Sequence, residues 1–309
     1  MYFFIVNLTS RTGKAREIWI KVEKELRRRE VAYEAHITKY AGHGRELADQ
    51  LCTRGAACPE GACLVVVGGD GTVNEVINGM HDFERVRFGY IATGSGNDLG
   101  RGLEIPKDPL KALEGILNAA EPYRMDLGLV TDGEGRERRF AISTGIGIDA
   151  EVCRQALTSG LKKVLNHLGL GSLTYVLLTV KSLFTMPTTE LTISFDNGEK
   201  KKISRMIFVA GMNHPWEGGG VPMAPRADCQ DGKLSVCCVY GIPRLKAFFL
   251  LPWLVQAKHE GLKGFEIVDC EQYELAIARP MAVHGDGEYL GDQTHVTCRC
   301  MRGMLQVMK

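Results

Sequence analysis

The sequence predicts an α/β plus β protein: an N-terminal doubly wound α/β domain and a C-terminal antiparallel β-sandwich domain. Three observations carry this. Up to Glu121-Pro122, short apolar strand-like runs alternate with helical stripes, the pattern of a parallel sheet covered on both faces. Two glycine-rich turns, Gly68-Gly69-Asp70-Gly71 and Thr93-Gly94-Ser95-Gly96, follow strands there, as at a crevice at the carboxyl ends of parallel strands. From Met125 onward, strands separated by turns such as Asp196-Asn197-Gly198 read as hairpins. The expected domains are 1–123 and 124–294, with about 295–309 able to return to the first.

Taken in order, Tyr2–Val6 is a strand, and Asn7-Leu8-Thr9-Ser10-Arg11-Thr12-Gly13-Lys14 is the loop after it. Ala15, Ile18, Trp19, Val22 and Leu26 stripe a helix whose basic end, Arg27-Arg28-Arg29, suits the negative end of the helix dipole. Val31, Tyr33, Ala35 and Ile37 alternate as a strand, 38–44 is a loop, and 45–54 is a helix. The apolar run 64–67 enters the first glycine turn. Beyond it Val73, Val76, Ile77 and Met80 fall at i, i+3, i+4 and i+7, a helix packed on a sheet. Residues 88–92 form the next strand, with a helix from Leu99.

In the second half, 125–131 and 138–143 form a hairpin around Asp132-Gly133-Glu134-Gly135, and 191–195 pairs with 203–210. Residues 157–184 read as helical and apolar. Then come a strand at 234–240, a helix near 245–258, and strands near 265–268, 273–278, 296–300 and 304–307. Three polar clusters read as loops: residues 145–151, 218–234 and 284–288.

Composition narrows the function. The 309 residues are 45% hydrophobic and 24% charged, with a formal net charge of +1, so nothing global drives the chain onto nucleic acid. The ten cysteines contain no Cys-x-x-Cys and no second half at zinc spacing, which predicts reduced thiols in a cytoplasm. No N-terminal signal is recognisable, and the apolar stretch 161–187 is interrupted by Lys162, Lys163, Asn166, His167 and Lys181, a poor membrane span. A cytoplasmic protein, at most peripheral to the inner face of a membrane, is expected.

The first glycine turn carries the chemistry. A strand, three glycines in four positions and a helix start place backbone N–H groups and the positive end of a helix dipole together, which is a phosphate site. Asp70 is the informative residue. A carboxylate beside phosphate is repulsive unless a cation lies between them or the carboxylate accepts a substrate proton. A Walker A loop would carry Gly-Lys-Ser/Thr, and a dinucleotide fingerprint a glycine at position 74, which is Asn. A nucleotide with Mg²⁺ and phosphoryl transfer therefore ranks ahead of hydride transfer. The competing reading is a plain turn closed by an Asx bond from Asp70.

Together, the glycine turns and the later clusters resemble the diacylglycerol kinase catalytic family, in particular its bacterial soluble lipid kinases. That group includes sphingosine and ceramide kinases and is distantly similar to NAD kinases and phosphofructokinases. The resemblance runs through Asn7, Ser10 and Gly13, Thr38, 68–79, 94–101, 145–151, 218–225, Asp231-Gly232-Lys233-Leu234 and Asp286-Gly287-Glu288. It implies ATP contacts from Asn7, Ser10, Gly13, Thr38, Gly69, Asp70, Gly71, Thr72, Val73, Asn74, Glu75 and Ser95. It implies a general base at Glu288, taking the proton of a lipid hydroxyl, with Asp70 and Asp98 organising the catalytic Mg²⁺ and its water. Between Asp70 and Glu288 the proton acceptor stays open, Glu288 being preferred. Asp231, with backbone carbonyls of Asp228 and Lys233, matches a structural Mg²⁺ site.

Two departures stand out. The first loop is longer than the family's Asn-Pro-x-Ser-Gly and lacks its proline, and Ser95 replaces the usual threonine. The implied partners are ATP, a lipid acceptor for which Phe248, Phe249, Leu250, Leu251, Trp253, Leu254 and 161–186 offer an apolar surface (the competing reading being that they cap the sandwich core), a membrane surface contacted transiently near Lys162, Lys163 and Lys181, and a second copy in a homodimer. A kinase of a soluble acceptor such as NAD, or a non-catalytic nucleotide- or lipid-binding regulator, are the alternatives.

Overall fold

The computed structural model describes residues 1–10, 14–158 and 171–309, so Gly13, Lys162 and Lys163 lie outside the described residues. The chain packs as two units, Met1–Asp126 with Gly303–Lys309, and Leu127–Arg302.

In the first unit the elements run β1 Tyr2–Val6, α1 Lys14–Arg28, β2 Tyr33–Ile37, α2 His43–Ala56, β3 Ala62–Gly68, α3 Asp70–Gly79, β4 Val86–Ala92, α4 Asp98–Gly102 and α5 Pro109–Asn118. The strands pair in parallel in the order β2-β1-β3-β4, and Val307 and Met308 add in parallel beside Phe88 and Gly89. Phe4, Val6, Val65 and Val67 bury one face against Trp19, Val22 and Leu26 of α1 and Leu113 and Ile116 of α5. Phe3, Ile5, Leu64 and Val66 are buried on the other, where α2 and α3 lie. Burial on both faces is why β3 reads as a continuous apolar run, each such side chain contributing about 1.5–3 kcal/mol. Asp108 starts α5 by accepting the amides of Leu110 (2.8 Å) and Lys111 (3.3 Å), with Pro109 in the first turn.

The second unit holds β6 Glu137–Phe140, β7 Ser143–Gly147, α6 Ile148–Thr158, α7 Gly171–Thr185, β8 Thr189–Phe195, β9 Lys200–Met212, β10 Leu234–Tyr240, α8 Arg244–Val255, β11 Phe265–Cys270 and β12 Gln272–Gly285. β5 Tyr123–Asp132 and β13 Glu288–Met308 carry the chain between the units. The strands are antiparallel, in the order β11-β10-β9-β7-β12-β13. β9 and β12 are long enough to pair with β7 at one end and with β8 at the other. The inner core holds Phe140, Ile193, Val236, Tyr273 and Val283. Cys237 and Val239 face outward onto a second core with Val152, Leu183 and Ala247 of the helices. This is the expected doubly wound layer and antiparallel sandwich.

Several boundaries differ from the sequence reading. Residues 145–151 are not a loop, because Gly145 and Gly147 end β7 and Ile148 already begins α6. The first hairpin closes at Phe140, and Ser143 opens a separate strand paired to β9 and β12. β12 continues past Ala278 to Gly285, with Pro280 at a register shift where it disturbs no regular pairing. The two last strands are one, because ladder partners hold a chain extended where local propensity does not.

Candidate functional site

In the first unit, the two glycine turns meet. Thr93 donates its amide to the Gly68 carbonyl at 2.7 Å, joining the ends of β3 and β4. A methyl on Gly94 would lie 2.8 Å from the Gly69 Cα, so only glycine backbones can approach this closely. The Asn7 side chain donates to Thr72 Oγ1 (3.0 Å), and Ser10 Oγ lies 2.6 Å from Thr93 Oγ1. Three loops are thus tied at the carboxyl end of the sheet, where the α3 helix begins.

Asp70 stands at the start of α3. Its carboxylate accepts the amides of Asp98 (3.2 Å) and Leu99 (3.4 Å), linking it to the start of α4. Asp98 is buried and paired with Arg101. The two acids expected at the catalytic ion are therefore joined through one short helix turn.

The other expected nucleotide residues divide. Asn7, Ser10, Gly69, Gly71 and Thr72 lie at this junction, Thr38 is anchored to the Val6 carbonyl through its amide (2.9 Å), and Ser95 is exposed on the second turn. Val73 and Asn74 are buried. Glu75 points to α2, where its oxygens accept the amides of Gly42 (2.8 Å) and Gly44 (2.9 Å). The sequence reading overlooked Thr93, whose hydroxyl meets Ser10, and Tyr90, which carries a fully buried phenol beneath the turn. Burial raises the Tyr90 pKa well above the ordinary phenol value, aided by the charges of Asp70 and Asp98.

In the second unit, Glu288 opens β13 directly after a two-residue turn. Asp286 and Gly287 both have positive φ (51° and 81°), as in a primed hairpin turn, for which Asp-Gly is suited. The Asp286 carboxylate accepts three amides, from Ala141 (2.8 Å), Ile142 (2.8 Å) and Ser143 (3.1 Å). Beneath the turn lies a polar cluster the sequence reading did not single out. His284, fully buried, has Nε2 at 2.7 Å from Asp149 and 3.3 Å from Glu217, while Ser143 Oγ donates to Glu217 at 2.6 Å. Its Nδ1 accepts the Gly287 amide at 3.2 Å. The signals in the sequence are the polar clusters 145–151 and 284–288, which hold Asp149 and His284 without telling that the two meet.

A lone pair on Nδ1 puts the proton of the His284 ring on Nε2, toward Asp149. Burial lowers the ring's affinity for a second proton, but the Asp149 and Glu217 carboxylates more than reverse this and raise the pKa to about 9, so the Gly287 bond belongs to the neutral ring above that pH. That proton could arrive only at Nδ1, at the cost of the Gly287 bond. Asp149, Cys153 and His284 also place ligand atoms within 4.8 Å of one another. A metal would need the Nε2 lone pair and an Nδ1–H with an acceptor in front of it. Gly287 presents a donor there, so the cluster suits a proton better than a cation.

Asp228 and Asp231 are exposed and form Asx turns, accepting the amides of Gln230 (3.0 Å) and Lys233 (2.8 Å). They remain near one another in a single turn that leads into β10.

Residues 1–130 match the family model described as the diacylglycerol kinase catalytic domain, and residues 142–309 that of the YegS C-terminal NAD kinase β-sandwich-like domain. YtlR of Bacillus subtilis, assigned as a lipid kinase, is 29% identical over 294 residues, 94% of each chain. A diacylglycerol kinase of the same organism is 28% identical over 259 residues, 83% of this chain and 79% of its own. In fold, the chain is similar to a solved Bacillus anthracis protein assigned as a diacylglycerol kinase, with a TM-score of 0.80 at 21% identity, covering 99% of this chain and 94% of the other.

Proposed function

The chain belongs to the diacylglycerol kinase catalytic family, in its bacterial lipid-kinase branch, and on that premise we propose that it transfers the γ-phosphoryl group of ATP to the hydroxyl of diacylglycerol or a closely related lipid. The observation that carries this reading is the glycine-only junction of β3 and β4 with Asp70 and Asp98 on it. Side chains there would force the two turns apart, so glycine is what lets both present backbone at the carboxyl end of the sheet. The α3 amides and the helix dipole favour phosphate, and the two carboxylates are the hard oxygen donors that Mg²⁺ takes.

Bound ATP with Mg²⁺ supplies the phosphoryl group and offsets its charge. Asn7, Ser10, Thr38, Ser95 and the 69–75 turn orient the nucleotide. Val73 and Asn74, being buried, contribute through backbone, and Glu75 contributes by fixing α2. Asp70 and Asp98 would hold the ion. Glu288 acts as general base on the lipid hydroxyl, and Asp231 with the Asp228 and Lys233 carbonyls would hold a second, structural Mg²⁺.

The acceptor side rests on the helices of the second unit. Ala247 and Leu254 of α8 are buried, whereas Leu245, Phe249 and Trp253, spaced by four, share an exposed face with Lys246 beside them. This face is the proposed contact with an anionic membrane surface.

Incubation with labelled ATP, Mg²⁺ and a mixed lipid extract tests the assignment, with a labelled phospholipid expected. A labelled water-soluble product would turn the reading to a soluble acceptor. Glu288→Gln should lower turnover by about 10²–10⁴-fold while ATP affinity stays within about twofold, and unchanged turnover would remove Glu288 as base.

A further inference from the structure

Resting on the assignment of Glu288 as base, we propose that His284 is its positioning residue, a buried clamp that holds the hairpin carrying the carboxylate. Glu288 sits four residues beyond His284 and is reached only through Gly285, Asp286 and Gly287. Each of these links is pinned from below. The His284 carbonyl accepts Thr144 Oγ1 at 2.6 Å, its ring accepts the Gly287 amide, and Asp286 is held by three amides of 141–143. The ring is the piece that touches the residue directly before Glu288.

Orientation of the ring is itself enforced. Nε2–H points to Asp149, with Glu217 on the same side, and Ser143 Oγ holds Glu217. The pair can form because position 145 has no side chain, since a methyl on Gly145 would overlap both Asp149 Oδ2 and His284 Nε2. Asp149 thus selects the Nε2–H tautomer, and that tautomer leaves Nδ1 able to accept from Gly287. The chain of dependence runs Glu217 and Asp149, then His284, then Gly287, then the backbone that aims Glu288. A base must lie within hydrogen-bond reach of its proton, so a shift of about 1 Å in this turn is expected to cost about 10²-fold in rate.

The test has a spectroscopic and a kinetic arm, both on the full chain. Long-range ¹H–¹⁵N spectra of the histidine rings, recorded through the titration of His284, should show its neutral form as the Nε2–H tautomer, with the Gly287 amide shift following the titration. A neutral Nδ1–H tautomer, or a Gly287 amide indifferent to the ring, overturns the clamp. In lipid-kinase assays above the pH at which the wild-type ring sheds its second proton, His284→Leu should lower kcat by about 10²-fold with the KM for ATP within about twofold, and the wild-type kcat should fall as the ring gains that proton at lower pH. His284→Asn, whose amide oxygen can accept from Gly287, should recover about tenfold of that loss.

Should His284→Leu fail to fold, Asp149→Asn is the second variant. Its amide can donate to Nε2, driving the ring proton onto Nδ1 against the Gly287 amide, and the same loss in kcat is expected. Unchanged kcat in these variants, or a loss confined to KM, overturns the proposal. A wild-type chain that phosphorylates no lipid would refute the kinase reading instead, leaving the clamp to be decided by the ring spectra.

Discussion

Tyr90 shows how a single residue can be read against the site it underlies. Its hydroxyl is fully buried and has no hydrogen-bond partner among the described residues, in the neighbourhood of Asp70 and Asp98. A buried polar group without a partner costs roughly 1–3 kcal/mol. Tyr90→Phe should therefore raise unfolding stability by about 1 kcal/mol, read as a higher urea midpoint at constant m-value. A lower midpoint would show that the hydroxyl is satisfied by bound solvent. At this scale the sequence disclosed the acids but not their surroundings. Asp70 announced itself because a carboxylate in a phosphate loop is chemically odd. Tyr90 and His284 did not, because an aromatic or a histidine inside an apolar strand looks like ordinary core until its neighbours are known.

At the scale of elements, α2 illustrates a cap supplied from far away in sequence. Gly42, its N-cap residue, has φ 89° and no side chain to offer the first-turn amides, and Glu75 of α3 takes that role for Gly42 and Gly44. Glu75→Ala should destabilise the chain by about 1–2 kcal/mol and speed hydrogen exchange at the amides of 42–47, with Glu75→Gln intermediate. Equal exchange in all three would show that the cap carries no stability. Stripes of apolar residues made the helices legible in the sequence, and Asp-Asn-Gly and Asp-Gly made the hairpin turns legible. Element ends were less so. The start of α2 depends on Glu75, the reach of β12 on partners along both its edges, and neither is a property of the segment itself.

At the scale of the whole molecule, among the described residues no helix is long and apolar enough to cross a membrane. The proposed contact with a lipid surface is the exposed face of α8. Phe249 and Trp253 are 61% and 47% exposed, and Arg244 ties the helix to the end of α7 by donating to the Phe184 and Met186 carbonyls (both 2.7 Å). Sedimentation with anionic vesicles at low salt should retain the wild type, and Phe249→Ser with Trp253→Ser should weaken binding by about tenfold or more, each exposed aromatic contributing about 1 kcal/mol or above. Retention of the double variant would remove this face as the contact. The sequence by itself determined the α/β plus β architecture, because period and turn chemistry are local properties, and its resemblance to a kinase family pointed to the acids Asp70, Asp98 and Glu288 as candidates. Only the tertiary structure decided that Asp70 binds the start of α4, that Glu75 caps α2, and that His284, Asp149 and Glu217 gather under the Glu288 hairpin. Those pairings join residues tens to more than a hundred positions apart, and a one-dimensional pattern carries no information about which side chains a fold will bring within hydrogen-bond distance.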